Sequence, residues 1–198
     1  MIKQKRFINK KALITGASGG IGSALVKALK KEGALVAVTD LNTSDIEADA
    51  KFDGNLLDSK FCDQLPKKVF DKFNGIDYLC NVAGIITRGK IDKITDEDYN
   101  KTMKVNVEAP FRLCRASIPL MKKGSAIVNV SSCWGLRAGP EHPLYIMSKA
   151  AIASLSQSLG LDHANQGIRI NAVCPNEVNT PMIKSGFKMR GLDSKKAI

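Results

Sequence analysis

The sequence predicts an α/β protein in which a doubly wound, mostly parallel sheet carries helices on both faces, a three-layer α/β/α arrangement. Short apolar runs alternate with segments of helical spacing, a glycine-rich turn joins the first run to the first helix, and polar residues follow several runs. Strands that alternate with helices form parallel sheets, because right-handed crossovers place the helices on the sheet faces. At 198 residues, without repeats or linker-like stretches, the chain is predicted to form one domain, 1–198.

In the first half of the chain, the periodicity places helices between strands. The clearest helix covers residues 20–31, where Ile21, Leu25 and Leu29 share one face and Gly33 follows as a stop signal. A second helix is predicted at 59–73. Strands are predicted at 11–15, 34–39, 46–52 and 76–81, of which 46–52 has the weakest pattern.

The second half continues the alternation. Thr95, with Asp98 three residues later, is a helix N-cap signal, and the helix that it opens is predicted to run toward Met121. Pro110 and Pro119 are expected to bend or break it, because proline removes a backbone hydrogen bond. A buried strand at 126–131, a helix at 145–161 and a strand at 168–174 complete the prediction.

The excess of positive charge does not predict a nucleic-acid partner. The formal net charge is +11, but the lysines are scattered in small groups over several predicted helices, which is typical of solvated helix faces. The chain also lacks the interleaved aromatic and basic residues of a base-stacking surface. We therefore expect no nucleic-acid partner.

The cysteines and the apolar runs favour a reducing, aqueous compartment. The five widely spaced cysteines form no CxxC pair, so neither a zinc site nor a disulfide framework is expected, and no other residue cluster suggests a metal. The apolar run near the N-terminus is too short for a signal peptide, and no apolar stretch reaches the length of about 18 residues that spans a bilayer. We expect a cytoplasmic protein without a metal or a membrane partner.

The glycine-rich turn has the sequence context of a dinucleotide-binding motif. Residues 15–22 read Thr-Gly-Ala-Ser-Gly-Gly-Ile-Gly, between the first strand and the first helix. Glycines let the backbone approach a pyrophosphate, whose charge meets unpaired N–H groups at the helix N-terminus. Asp40 ends the second strand, where a carboxylate can accept both ribose hydroxyls. A 2′-phosphate would be repelled there, and the turn contains no Lys or Arg, so we expect NAD(H) rather than NADP(H).

A tyrosine and a lysine one helical turn apart supply candidate acid–base chemistry. Tyr145 and Lys149 share a face of a predicted helix, although this spacing alone is common by chance. An ammonium about 4 Å from a phenolate stabilises it by about 4 kcal/mol at an effective dielectric of about 20, which predicts a lowered pKa for Tyr145. The polar residues expected in the same crevice are Asn81, Gly84, Asn106, Ser131 and Ser132.

Together these residues resemble the compact, single-domain branch of the short-chain dehydrogenase/reductase family, over residues 11–182. The glycine-rich turn also fits the pattern of the family's larger sugar-nucleotide branch, but the other motifs favour the compact branch. Val82 and Asn176 depart from the family's usual asparagine and glycine. The motifs are Asn-Val-Ala-Gly at 81–84, Val-Asn-Val at 105–107, Ile-Val-Asn-Val-Ser-Ser at 127–132, Tyr-Ile-Met-Ser-Lys at 145–149 and Cys-Pro-Asn-Glu-Val-Asn-Thr-Pro-Met at 174–182.

The resemblance implies a role for each site residue. Ser132 orients the substrate oxygen, and Tyr145 is the acid/base. Lys149 binds ribose and lowers the pKa of the tyrosine, while Asn106 supports a water-mediated proton relay. The cofactor-binding residues that the resemblance implies are Gly16, Ser18, Gly20, Ile21, Gly22, Asp40, Asp53 and Gly54 (both at the adenine), Asn81, Ala83, Gly84, Tyr145, Lys149, Pro175, Val178 and Thr180.

The chain ends earlier than the family pattern. Residues 176–198 resemble only the start of the family's substrate loop, and the family's further helices and last strand, which help to form subunit interfaces, do not follow. The sequence is therefore expected to be either a truncated form of a longer protein or a shortened gene product. The full-length form is expected to be a homo-oligomer, a dimer or a tetramer.

The predicted activity is the NAD(H)-dependent interconversion of a secondary alcohol and a ketone. Residues 85–90, 133–143 and those after 176 are expected to line the substrate pocket. There Arg88, Trp134, Arg137 and His142 favour a small polyol or hydroxy acid, unless they are surface charges and a packing tryptophan. Two other functions stay open: a 3-oxoacyl thioester reductase of the same family, and a catalytically silent NAD-binding regulatory protein if the short chain is native.

Overall fold

Parallel strands form the centre of the protein in a computed structural model that describes residues 5–183 and 185. The strands are β1 (Lys11–Thr15), β2 (Leu35–Asp40), β3 (Ala50–Asp53), β4 (Tyr78–Asn81), β5 (Ala126–Val130) and β6 (Arg169–Val173). Their order is β3-β2-β1-β4-β5-β6, and every neighbouring pair is parallel. The strand order reverses between β1 and β4, which opens a crevice at their carboxyl ends. The predicted doubly wound sheet is confirmed.

The helices cover both faces of the sheet, because successive strand residues point to opposite sides. Leu13 belongs to a buried cluster with Leu113 and other residues of the first face, whereas Ile14 belongs to a second cluster with Val26. The helices that position the site are α1 (Gly20–Lys31), α2 (Ser59–Phe73), α3 (Asp96–Met103), α4 (Ala109–Ser117) and α5 (Pro143–Asp162).

The third strand lies later in the chain than predicted. The sequence predicts a strand at 46–52, but β3 begins only at Ala50. The reason is Asp49, whose carboxylate accepts hydrogen bonds from the Val36 N–H at 2.8 Å and from the Lys30 ammonium at 2.9 Å. These bonds hold the approach to the strand as a bend, and the apolar residues before it pack against the core without pairing.

The predicted long helix after residue 95 is divided into separate helices. Thr95 and Asp98 form the predicted capping box at the start of α3. A π-helical turn, Lys104–Glu108, then separates α3 from α4. Pro110 lies in the first turn of α4 and has no N–H to donate to the preceding turn, which explains the break. Pro119 lies in a 3₁₀ turn after α4.

A buried line of amides and a hydroxyl, which we call the polar seam, joins β4, β5 and α5. The Asn81 Nδ2 donates to the Asn129 Oδ1 at 2.8 Å, and the Asn129 Nδ2 donates to the Ser156 Oγ at 2.9 Å. The Ser156 hydroxyl donates in turn to the carbonyl of Ile152 at 2.7 Å. Buried polar groups that bond to one another in this way specify a single packing of the elements that carry them.

Candidate active site

The carboxyl ends of β1 and β4 are tied together beside the glycine-rich turn. The Thr15 hydroxyl accepts hydrogen bonds from the N–H groups of Val82 and Ala83, each at 3.1 Å. Gly16 has a φ of +66°, and a Cβ on it would lie 2.6 Å from the Cα of Ala83. Glycine is required here because neither this φ nor this close approach accommodates a side chain.

The start of α1 fits an anionic group. Its N-cap residue is Gly19, which has no side chain to cap the N–H groups of the first turn. A Cβ on Gly22 would collide with the Gly16 carbonyl oxygen, and one on Gly20 would lie 2.6 Å from a methyl carbon of Thr180. Exposed backbone donors at the positive end of a helix are what a pyrophosphate requires, so the turn fits the dinucleotide that the sequence implies.

Asp40 lies at the end of β2 and against the glycine-rich turn. Its carboxylate accepts hydrogen bonds from the N–H groups of Ser18 at 2.9 Å and Leu41 at 2.8 Å. The Ser18 hydroxyl donates to the carbonyl of Asn42 at 2.8 Å, which fixes the loop beside it. A carboxylate has about four acceptor positions, so Asp40 keeps capacity for further donors.

The two residues expected at the adenine, Asp53 and Gly54, contact other side chains of the protein. The Asp53 carboxylate accepts hydrogen bonds from the Thr43 N–H at 2.9 Å and the Thr43 hydroxyl at 2.6 Å. Gly54 lies against the ring of Phe61, with which any Cβ would collide. These bonds tie the Asp53 Oδ1 to the loop after β2, and contact of either residue with adenine stays a prediction.

Ser131, Ser132 and Tyr145 line one cavity, and Ser131 also ties β5 to α5. The Ser132 hydroxyl lies near the Tyr145 phenol and lowers its pKa. The Ser132 hydroxyl oxygen also accepts from the Trp134 N–H at 3.2 Å, which orients it. The Ser131 hydroxyl is buried and donates to the carbonyl of Lys149 at 2.6 Å. The structure therefore gives the two neighbouring serines different roles, with Ser132 beside the tyrosine.

Lys149 lies almost fully buried between β5 and the cavity. Its Nζ donates to the Val130 carbonyl at 2.8 Å and lies 5.8 Å from the centre of the Tyr145 ring. Burial lowers the pKa of Lys149 from 10.5 to about 8, because the ammonium loses solvation. Gly84 leaves space for this side chain, since a Cβ on Gly84 would lie 3.0 Å from the Lys149 Nζ and 3.4 Å from the Asn106 Oδ1.

The direction of the pKa change at Tyr145 differs from the expectation. The sequence predicts that the ammonium of Lys149 lowers the pKa of Tyr145. In the structure, burial raises the pKa of the Tyr145 phenol above 10, while hydrogen bonding to Ser132 and the charge of Arg88 lower it by less. Burial depth cannot be read from helical spacing, which is why the expectation was wrong. Without a cofactor, the phenol is therefore protonated at neutral pH.

Asn106 lies in the π-helical turn and holds the chain that leaves β4. Its Oδ1 accepts from the Ile85 N–H at 2.8 Å, and its Nδ2 donates to the Ile85 carbonyl at 2.8 Å and the Ser148 hydroxyl at 3.0 Å. The Ser148 hydroxyl donates to the Tyr145 carbonyl at 2.8 Å. Ser148 was not predicted as a site residue; the sequence signal that could have identified it is a hydroxyl side chain between Tyr145 and Lys149. The relay role of Asn106 stays a prediction.

A cavity of about 220 Å³ lies among these groups. Arg88, Trp134 and His142 line it, but Arg137 is exposed outside it, which corrects the expected pocket. The Trp134 ring packs edge-on against His142, with centroids 4.5 Å apart, and lies 6.5 Å from the Tyr145 ring. Residues from the predicted cofactor motifs that also line it are Ile21, Gly84, Lys149, Pro175, Val178 and Thr180.

The structure of residues 5–183 and 185 also bears on metal binding, membrane spans and the cysteines. In this range, no group of His, Cys, Asp or Glu is arranged to hold a metal, and no helix has the length and apolar character to cross a membrane. All five cysteines are free. Burial raises the thiol pKa values of Cys62, Cys80 and Cys114 to about 11, 12 and 12.

Comparison with known proteins decides the family. A sequence profile described as short chain dehydrogenase matches residues 10–191. The chain belongs to the short-chain dehydrogenase/reductase family. It is 40% identical to an uncharacterized oxidoreductase of Thermotoga maritima, over 92% of this chain and 77% of the relative. It is 33% identical to a 3β-hydroxysteroid dehydrogenase of Mediterraneibacter gnavus, over 89% of this chain and 69% of the relative.

Solved structures of this family have the same fold. A short chain dehydrogenase from Burkholderia cenocepacia, solved in complex with NADP, matches with a TM-score of 0.85 and 32% identity. The match covers 89% of this chain and 78% of that one. The protein is therefore an oxidoreductase with a Rossmann-type sheet that acts on CH–OH groups, and its family binds nicotinamide cofactors.

Proposed function

We propose that this short-chain dehydrogenase interconverts a secondary alcohol and a ketone, with NAD(H) as the hydride carrier and Tyr145 as general acid/base. The observation that carries the proposal is the meeting of Tyr145 and Ser132 on a cavity that the glycine-rich turn also lines, through Ile21. Lys149 lies beneath the same cavity with its ammonium nitrogen near the tyrosine ring. A proton-transferring group and a cofactor cradle thus share one small space.

In the oxidative direction, Tyr145 as phenolate takes the proton of the substrate hydroxyl while the C–H bond at the same carbon breaks and a C=O bond forms. A nicotinamide cofactor, when bound in this cleft, would accept the hydride that leaves the carbon. The Ser132 hydroxyl holds the substrate oxygen beside the phenol. In the reductive direction, the phenol returns the proton to the oxygen that becomes the alcohol.

The raised pKa of Tyr145 favours the acid role near neutral pH. Because burial keeps the phenol protonated, it is ready to donate in the reductive direction. Oxidation requires the phenolate, which a charged Lys149 favours by Coulombic attraction. We therefore propose that raising the pH increases the oxidative rate more than the reductive rate.

We infer a preference for NAD(H) from Asp40. Its carboxylate bonds the Ser18 N–H at the end of β2, where it would face the ribose and repel a 2′-phosphate. The alternative, NADP(H), is favoured by a second cavity of about 840 Å³, which Ser18 lines together with Lys27 and Lys31 of α1. Initial rates with NADH and with NADPH test the inference, which fails if NADPH gives the higher kcat/KM.

We also propose that the protein forms a homo-oligomer. The exposed side of α5 presents Met147 and Leu161, of which Leu161 is 81% exposed. Lys149 carries the one charge between residues 143 and 161, and it is buried. An uncharged, partly apolar helix face is typical of subunit interfaces. Sedimentation of a monomer at micromolar concentration would contradict this proposal.

The proposed activity is tested by Tyr145→Phe, with Tyr99→Phe as its control. Tyr99 lies exposed on α3, outside the cavity. Loss of the transferable proton is expected to lower kcat about 1,000-fold, within the range for general acid–base catalysis. NADH affinity should fall much less than kcat, because most of the predicted cofactor contacts are made by other residues. A Tyr145→Phe protein with undiminished turnover would refute the proposal, and a wild type that binds NADH without turning over any ketone would favour the silent regulatory alternative.

A further inference from the structure

The chain that leaves β4 is fastened at every second residue. Ile85 is held through both backbone groups by the amide of Asn106. The Thr87 hydroxyl lies 2.5 Å from the Thr102 hydroxyl of α3. The Gly89 N–H donates to the carbonyl of residue 141 at 2.7 Å. These bonds fix the direction of the segment 85–89 although it belongs to no helix or strand.

The residues between these fastened positions line the cavity. Ile86 and Arg88 both contribute to its wall. Between Ile86 and Arg88, the Thr87 side chain turns away to bond Thr102, while the backbone bonds of Ile85 and Gly89 fix both ends of the segment. The position of Arg88 on the cavity is thus set by its neighbours' hydrogen bonds.

The residue that accepts the hydrogen bond of Gly89 has an unusual backbone conformation. Glu141 has a φ of +60°, in the left-handed region that few non-glycine residues adopt, and Gly89 has a φ of +132°. The next residue, His142, lines the cavity and has its Nδ1 2.7 Å from the Pro140 carbonyl. Backbone strain of this kind persists where the surroundings hold it and is concentrated at functional sites.

The charges around the cavity favour a small anion. The positive charge of Arg88 reaches the Tyr145 phenol, where it lowers the pKa. Lys149 adds a second, buried cation, and Glu177 contributes one carboxylate to the same wall. A carboxylate suits this balance better than a phosphate, because a phosphate would bring nearly two negative charges toward Glu177.

We propose that Arg88 binds the carboxylate of the substrate, so that the cavity accepts small hydroxy acids and the corresponding oxo acids. The planar guanidinium can bind both carboxylate oxygens, which fixes the acid while its hydroxyl or carbonyl oxygen lies between Ser132 and Tyr145. The volume of about 220 Å³ limits the size of the acid. This inference rests on the proposed oxidoreductase function, which it narrows to a substrate class.

The inference is tested by reduction of oxo acids and of their methyl esters, which keep the ketone and remove the charge. Three pairs place the carboxylate at different distances: 2-oxobutanoate, acetoacetate and 4-oxopentanoate, each with its ester. For at least one pair, the wild type should prefer the acid in kcat/KM by roughly 10- to 100-fold, as expected for a hydrogen bond to a charged group. Arg88→Met should remove this preference by slowing acid reduction much more than ester reduction.

Two further variants separate a binding role from a general effect on folding. Arg88→Lys keeps the charge but not the paired donors, so it should restore part of the acid preference. Arg137→Met removes an exposed arginine outside the cavity and should behave as the wild type. An acid preference that survives in Arg88→Met, or that is lost equally in Arg137→Met, overturns the inference.

Binding gives a readout that does not depend on turnover. Trp134 is the chain's single tryptophan and lies on the cavity wall, so its fluorescence reports occupancy. Titration of the NADH-loaded protein with each acid and ester should show tighter binding of one acid, lost in Arg88→Met. Preferential acid binding without turnover supports this inference while the proposed function fails. Equal binding and turnover of acids and esters overturns the inference while the proposed function stands.

Discussion

The two halves of the cleft are built by different means. In the cofactor half, glycines allow regular elements to approach closely, as where Gly16 meets Ala83. In the substrate half, irregular segments are held to one another by single hydrogen bonds, as between Gly89 and Glu141, or between the Cys133 thiol and the Asn176 side chain at 3.2 Å. The cofactor half therefore depends on backbone shape, and the substrate half depends on side-chain contacts. Substitutions in each half should fail in correspondingly different ways.

The largest expected effect is that of Lys149→Met, which removes the charge shared by both halves. We expect kcat/KM to fall about 1,000-fold, because the proposed proton transfer by Tyr145 would lose its supporting cation and the ribose would lose its predicted donor. The free energy of unfolding should increase, although the activity falls. A pKa lowered from 10.5 to about 8 corresponds to a cost of up to about 3 kcal/mol for burying the charge at neutral pH, which the variant escapes. Urea unfolding of the cofactor-free proteins at pH 7 measures this difference.

The pH dependence of that difference has a definite sign. Folded Lys149 loses its proton near pH 8, whereas the unfolded lysine keeps it to about 10.4, so this residue's destabilisation is complete below pH 8 and is relieved as the pH rises. Above about pH 9 the three buried thiols act oppositely, because their raised pKa values favour the protonated form only in the folded state. The stability gap between Lys149→Met and the wild type should therefore narrow from pH 8 to pH 10. A constant gap would contradict the buried-charge explanation.

Gly16→Ala is expected to damage the cofactor half next most strongly. The new Cβ would press on the backbone of Ala83, so the affinity for NADH should fall about 100-fold, which is roughly 3 kcal/mol. Gly124→Ala is a matched control, because Gly124 also has a positive φ, +92°, but no atom within 4 Å of the added Cβ. Gly124→Ala should lose about 1–2 kcal/mol of stability from backbone strain alone, and Gly16→Ala should lose more because its Cβ also collides with Ala83. If their NADH affinities by fluorescence titration are equal, the close approach is not what builds the cradle.

Asp40→Ser is expected to change cofactor choice and to leave the substrate half intact. Removing the carboxylate should raise the kcat/KM ratio of NADPH to NADH by about 10-fold, since repulsion of one charge near a protein surface is worth about 1–2 kcal/mol. The KM for the ketone should stay the same. Steady-state kinetics with both cofactors measure the ratio. Adding Lys27→Ala would then show whether the lysines beside Ser18 assist the 2′-phosphate, in which case the ratio falls again.

The smallest expected effect is that of Glu141→Gly in the substrate half. Glycine adopts the positive φ without strain but gains freedom in the unfolded chain, so stability should change by less than about 1 kcal/mol. The KM for the ketone should rise by about 2- to 5-fold, because the bond to Gly89 is held less firmly. NADH affinity should be unaffected. A change in NADH affinity larger than the change in KM would show that the two halves are not independent.

The sequence predicts the fold better than it predicts the contacts of the site. The bounds of α1 and α2 follow from periodicity and stop signals, because apolar spacing decides which face is buried. The position of β3 does not, since it depends on long-range bonds of Asp49. The exclusion of Arg137 from the cavity depends on the path of an irregular loop, which no local pattern encodes.

The residues of the site could be predicted from the sequence, but their pKa values and hydrogen bonds could not. The tyrosine, the serine and the lysine were found because motifs fix their spacing along the chain. The pKa of Tyr145 depends on how much water reaches the phenol, and the bonds of Asn106 depend on a π-helical turn that forms ahead of Pro110. Both are properties of packing between elements distant in sequence.

The polar seam restricts how the enzyme can open and close. Asn81, Asn129 and Ser156 join two central strands to α5, so hinge motion between these elements would leave buried amides without hydrogen-bond partners. Ligand entry and release must then be accommodated by the peripheral segments at the mouth of the cleft. We therefore expect the sheet and α5 to move together during turnover and loop motion to limit its rate.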